Sequence, residues 1–222
     1  MSVTPRHAED EHTDRGESAA DGYVKFAALH EWAEAPTHPL LSDLDEARTR
    51  LFDLGLVGMH ANGVGFGNLS IRDGAGFIIS GSGTGGSRVL GTGGYCRVIS
   101  FDLEANSVTT RGPIGASSES MSHGAVYGSG TSTGCVIHIH ARELWLRLLQ
   151  AGEPATDADA AYGTPAMARA VATLVRSLDR DAAHFAMAGH EDGVIAYGPD
   201  VEAAMGEILR IVSVYGIGRK PA

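Results

Sequence analysis

The chain is short of several things, and each shortage closes off a class of protein. Cysteine occurs only at Cys96 and Cys135 in 222 residues. That is too few for a disulfide-stapled framework, and two buried free thiols are expected. Positive charge is also scarce: 17 Lys and Arg stand against 27 Asp and Glu, a formal net charge of -10, and the basic residues are scattered. A nucleic-acid partner calls for a banked basic surface, so none is expected. No apolar run reaches the roughly 18 residues that a membrane span needs, so no membrane partner is expected. The opening MSVTPRHAEDEH lacks the basic-then-apolar order of a secretory signal, and a cytoplasmic location is the expectation. No internal repeat is evident.

What is present fits one α/β domain. Residues 1–22 hold six Asp or Glu against two Arg and no apolar periodicity, so they are expected to form a flexible acidic tail before a single domain at 23–222. From Leu44, LDEARTRLFDLGLVG has helical apolar spacing with a start signal at Ser42-Asp43. NLSIR, GFIIS, YCRVISFD, NSVTTR, GCVIHIH and GVIAYG are short, rich in Val, Ile and aromatics and separated by turn residues, which predicts strands. ARELWLRLLQAG, TPAMARAVATLVRSLD and DVEAAMGEILRIVSVYG return to the helical period. Strands that follow one another on short turns predict a largely antiparallel sheet flanked by helices, unlike a doubly wound dinucleotide fold.

Glycine is abundant at 30 residues and clusters in GVGFGN, GSGTGG and GTGG, where backbone can approach a ligand closely. In CVIHIH the alternation of a strand projects His138 and His140 to one face and sends Ile137 and Ile139 to the other. Two neutral imidazoles on one face can share a divalent cation, and they can equally be two satisfied histidines. His190, in a Gly-bounded turn just ahead of a strand, offers a third ligand or a backbone-bonded turn residue. Ser117 and Ser118 are expected to open a short helix that favours an anion, with Glu119 in its first turn and His123 one turn on.

In order along the chain, GNLSIR, IISGSG, SSESMSHGAVY, HIH, GTPAM and GHEDGVIAYG resemble the class II aldolase/adducin family, whose members include L-fuculose-phosphate aldolase. The likeness runs from about Leu44 to Tyr215. It implies a three-layer α/β/α sandwich with a central, largely antiparallel mixed sheet. It implies that His138, His140 and His190 bind a divalent metal, Zn2+ foremost, then Fe2+, Mn2+ or Co2+. Glu119 is implied as the acid/base, and Asn68, Ser82, Gly83, Ser117 and Ser118 as the surround of a substrate phosphate. His123 is implied to be structural. In some relatives a tyrosine from a neighbouring subunit completes the site, and Tyr215 is the candidate here.

The implied activity is that of a metal-dependent aldolase, a lyase acting on a small sugar phosphate or related hydroxyketone through a metal-stabilised enediolate. A homotetramer with sites between subunits is implied as well. Glu at position 119, where similar epimerases carry Asp, ranks aldolase or dehydratase above epimerase. The likeness also admits iron-dependent oxidative decarboxylation and a non-catalytic adducin-like module. Two departures stand out. The family's His-Gly pair is here His190-Glu191-Asp192-Gly193, which makes Glu191 and Asp192 either solvated turn carboxylates or part of the site. The loop after IIS also carries extra glycine, with Arg88 the nearby cation and no lysine.

Overall fold

The computed structural model describes residues 24–129 and 132–216; the expected acidic tail, residues 1–22, lies outside the described residues. The chain opens with β1 (Ala27–Trp32) and α1 (Leu41–Asp53), followed by the short pair β2 (Gly58–Met59) and β3 (Gly65–Phe66). Next come β4 (Asn68–Asp73), β5 (Gly76–Ser80), β6 (Tyr95–Asp102) and β7 (Ser107–Gly112). The second half runs α2 (Ser120–Tyr127), β8 (Cys135–His140), α3 (Arg142–Gln150), α4 (Pro165–Leu178), β9 (Ala183–Ala186), β10 (Gly193–Gly198) and α5 (Val201–Tyr215).

The main sheet has eight strands in the order β1-β7-β6-β5-β4-β8-β10-β9. Within it, only β1 pairs in parallel, with β7; the other neighbours are antiparallel. This is the mixed, largely antiparallel sheet expected from strands joined by short turns.

Helices cover both faces. On one, Met121, Ala125 and Val126 of α2 and Met167, Val171 and Val175 of α4 pack on Phe77, Ile79, Val98, Val136 and Ile195. On the other, Leu44 and Leu51 of α1, Leu144 and Leu148 of α3, and Ile208 and Ile211 of α5 pack on Leu69, Ile71, Ile137, Ile139 and Val194. Period-two alternation in β4, β8 and β10 thus feeds two separate cores.

Local chemistry sets the helix ends. The Thr164 hydroxyl accepts from the Met167 N–H ahead of Pro165, and the Asp200 carboxylate accepts from the Ala203 N–H. α1 starts at Leu41, ahead of the expected Ser42-Asp43 signal, without a side-chain cap. Both cysteines are buried and free, and burial pushes the Cys96 thiol up to about 12. Four strands were not expected from the sequence: the two-residue pair β2 and β3, β1 and β9. β1 is an exposed edge strand with little apolar alternation, and β9 is only four residues long. Each is held chiefly by its partner strand.

Candidate metal centre and anion cleft

β8 runs through the sheet between β4 and β10, with His138 opposite Asn68 on one side and Ile195 on the other. Cys135, Ile137 and Ile139 face the α1/α3/α5 core, so His138 and His140 face α2 and α4. Both are buried, and their Nε2 atoms lie 3.0 Å apart. His138 Nδ1 is 3.3 Å from the Val194 carbonyl, which assigns its proton to Nδ1 and leaves the Nε2 lone pair aimed at His140. Burial, followed by the neighbouring His140, His190 and His123, holds the His138 pKa well below its usual value. The ring is therefore neutral, the form that ligates.

His190 reaches the same point from a tight turn. Its N–H donates to the Met187 carbonyl at 3.0 Å, and its carbonyl accepts from the Gly193 N–H at 3.0 Å. Asp192 supplies the positive φ of 69° that closes the turn. Gly189 cannot be replaced by a larger residue, because a Cβ there would sit 1.9 Å from the Ala160 carbonyl oxygen. The Tyr162 ring covers the His190 ring at 4.4 Å between centroids, and Lys25 Nζ lies 4.4 Å above that tyrosine.

Nitrogens of His138, His140 and His190 all fall within 4.8 Å of one another. Zn–N bonds of about 2.0–2.1 Å in a tetrahedron place two nitrogens roughly 3.3 Å apart, close to the His138–His140 spacing. Three clustered imidazoles, with the His138 lone pair already turned inward, fit a divalent ion of zinc type. Buried Glu119 brings Oε1 to 3.4 Å from His190 Nδ1.

A cleft of about 180 Å³ opens in front of His138, His140 and Glu119. Asn68, Ser82, Gly83, Ser117 and Ser118, the residues expected around an anion, all border it. His190 lies outside the lining, on the Glu119 side. Two glycine-rich segments meet backbone to backbone to form one wall. A Cβ on Gly85 would lie 2.1 Å from the Gly58 carbonyl oxygen and 2.6 Å from Gly65 Cα. Asn68 opens β4 rather than lying in a turn, and its buried Oδ1 meets no hydrogen-bond donor among the described residues. Such an atom calls for a ligand or water.

The helix behind Ser117-Ser118 begins later than expected. The Ser117 hydroxyl accepts from the Glu119 N–H at 3.3 Å, and its carbonyl accepts from the Ser120 N–H at 3.1 Å. This local turn holds Ser117 and Ser118 outside the helix, so that α2 starts at Ser120 with Glu119 at its cap position. His123 is fully buried, 2.7 Å from the Ser70 hydroxyl, which in turn lies 2.8 Å from the Tyr127 hydroxyl. Burial lowers its pKa to about 3. It is structural, as expected.

Other residues lie elsewhere. Within its own chain, the Tyr215 hydroxyl bonds Glu153 and is not part of the cleft lining. Arg88 pairs with Asp53, at 2.7 and 2.6 Å. Glu191 and Asp192 both pair with Arg142 on the exposed side of the turn. Trp145 packs into the helix core and donates to the Met187 carbonyl at 3.0 Å. Tyr162 and half-buried His60, whose ring lies 6.2 Å from that of His140, were missed. Neither belongs to a spacing that marks a site; the GTPAM segment beside Tyr162 was the one available hint.

The fold and the histidine cluster define a three-layer α/β/α protein with a metal-competent centre at the end of a glycine-walled cleft. The sequence matches the Class II Aldolase and Adducin N-terminal domain over residues 46–215, and the chain belongs to that family. Among solved structures it is similar to L-fuculose-1-phosphate aldolase from Thermus thermophilus, at 23% identity and TM-score 0.58 over 82% of this chain and 98% of that one. A further L-fuculose 1-phosphate aldolase matches at 19% identity and TM-score 0.56, covering 82% and 86%. YgbL from Klebsiella pneumoniae matches at 16% and TM-score 0.57, covering 79% and 86%. These likenesses show the fold. A comparison with curated proteins finds no significant match. The family is mostly enzymatic, and its aldolases generally use a divalent metal, commonly zinc. Among the described residues, no helix is long and apolar enough to cross a membrane.

Proposed function

We propose that the protein is a metal-dependent aldolase-type lyase that cleaves or forms a carbon–carbon bond in a small sugar phosphate or related hydroxyketone. The observation that carries this reading is the joining of three imidazoles placed to share one ion, within 4.8 Å of one another, to a buried carboxylate 3.4 Å from one of them. His138, His140 and His190 would hold one divalent ion. That ion supplies Lewis-acid stabilisation of negative charge at the reacting oxygens.

The chain's own residues do the rest. In cleavage the substrate hydroxyl gives up its proton as the carbon–carbon bond breaks, and Glu119 delivers a proton to the carbon left as the enediolate; in bond formation both transfers reverse. Burial of Glu119 keeps bulk water from competing for that proton. Ser117, Ser118, Ser82, Asn68 and the amide of Gly83 offer neutral donors to the anionic end of the substrate, which fixes the distance between that end and Glu119. We further propose a homo-oligomer, in which Tyr215 of one subunit reaches the cleft of its neighbour.

The test begins with metal analysis of the purified protein, followed by retro-aldol assays on a panel of ketose phosphates. One divalent ion per site is expected. Glu119→Gln should retain the ion and lower kcat by about 10²–10⁴-fold. A protein purified without metal, or a Glu119→Gln variant of unchanged activity, overturns the reading. Sedimentation that finds a monomer overturns the assembly.

A further inference from the structure

Among the described residues, no lysine or arginine lines the cleft that the proposed function gives to an anion. Positive charge nevertheless lies directly behind its wall. Arg48 of α1 is 1% exposed, and its guanidinium hydrogen-bonds backbone carbonyls of a single loop. Nη2 donates to Thr84 at 3.0 Å, and Nη1 donates to Ser87 at 2.7 Å and to Arg88 at 3.2 Å. Thr84 and Gly85 border the cleft, so the guanidinium holds the outer side of the loop whose inner side faces the ligand space.

The rest of one α1 stripe binds the same segment. Asp45 accepts from the Leu90 and Gly91 N–H groups at 3.2 and 3.1 Å and from the Tyr95 hydroxyl at 2.9 Å. Thr49 donates to the Arg88 carbonyl at 3.2 Å, and Asp53 pairs with the Arg88 side chain. Residues 45, 48, 49 and 53 share one face of the helix.

Arg48 differs from the others in being a buried cation whose hydrogen bonds go to neutral groups. A trans peptide points its N–H opposite to its C=O. With the Thr84 carbonyl turned to Arg48, the Gly85 N–H points away from it, and Gly85 itself borders the cleft. The positive potential of Arg48 is thereby passed through aligned peptide dipoles in a medium that screens it weakly. We infer that Arg48 is a positioning residue for substrate binding, organising the Thr84–Arg88 loop as an anion cradle and making the cleft selective for a phosphate-bearing substrate over a neutral hydroxyketone. This inference rests on the anion-binding part of the proposed function.

The test is calorimetric titration of the metal-containing protein with inorganic phosphate, for wild type, Arg48→Lys and Arg48→Met. Arg48→Met should weaken phosphate binding by about tenfold or more and Arg48→Lys by less, both with wild-type metal stoichiometry. For any ketose phosphate that is cleaved, KM should rise while kcat holds. A folded Arg48→Met variant that binds phosphate as wild type does overturns the inference. So does parallel loss of metal and phosphate in both variants, the mark of a merely structural residue. Should Arg48→Met not fold, 15N spectra of wild type decide: phosphate must shift the Gly83 and Gly85 amides, and unmoved amides overturn the proposal. Wild type that binds no phosphate removes both this inference and the anion cleft. Retro-aldol activity on unphosphorylated substrates would then leave the metal centre standing.

Discussion

Two buried histidine neighbourhoods lie on opposite faces of the same sheet, and they are built on opposite principles. His184 of β9 has Nδ1 2.9 Å from Glu207 and Nε2 3.5 Å from Glu153, with Arg210 2.8 Å from Glu207. Burial alone would raise the Glu207 pKa, but hydrogen bonds from Arg210 and His184 outweigh it and hold that carboxyl below its usual range. The partners there are other side chains, with Arg210 set against Glu207. At His138 and His140, by contrast, two imidazole nitrogens meet at 3.0 Å, with a third ring alongside. That arrangement collects lone pairs, which an added cation satisfies. Burial is common to both; the partner decides whether a histidine becomes scaffold or ligand.

The sharpest way to break the contrast is to remove one ring. His140→Ala should reduce metal retention by at least about a hundredfold, read by chelator competition and metal analysis, with activity lost in step. Next in size is the support of the third ligand. Tyr162→Ala should weaken metal binding by roughly tenfold to a hundredfold by freeing the His190 ring, whereas Tyr162→Phe should leave it unchanged, because the covering ring is what matters. Equal losses in the two variants would show that the hydroxyl carries the effect.

His123 sharpens the comparison from the side of protonation. Its folded pKa of about 3 lies below the unfolded 6.5, so the unfolded chain binds the extra proton in between. Its contribution to stability is complete above 6.5 and falls with pH toward 3, by about 1.4 kcal/mol per pH unit. Melting midpoints measured across that window should fall less steeply in His123→Asn than in wild type; parallel slopes would remove His123 from the account. The smallest effect belongs to the His184 cluster. His184→Gln should lower stability by about 1–2 kcal/mol in denaturant titration, with metal content unchanged.

Much of this was legible beforehand. The HIH pair on one strand face, the His190 turn and the glycine clusters are local patterns; the structure brings the HIH pair and two of the glycine clusters, GVGFGN and GSGTGG, to one cleft and sets His190 beside His138 and His140 behind it. The strands from NLSIR to GVIAYG appear where alternation placed them, because each has a core on at least one side to enforce it. The missed pieces share a different character. Tyr162 matters because a loop from beyond α3 folds over His190. Arg48 looks like an ordinary polar position of an amphipathic helix until the Thr84–Arg88 carbonyls close on it. The later start of α2 follows from a serine hydroxyl competing with the helix for a backbone N–H.

By itself the sequence determined what period and residue chemistry can encode: a largely antiparallel sheet between helices, an imidazole pair on one face, and backbone free to approach a ligand at the glycine clusters. The tertiary structure alone decided which polar groups meet. It brought His190 and Glu119 to 3.4 Å from segments far apart in the chain, and it laid a buried guanidinium behind a cleft without cationic lining. Such meetings depend on loop closure and packing across the whole sheet, which no window of local sequence contains.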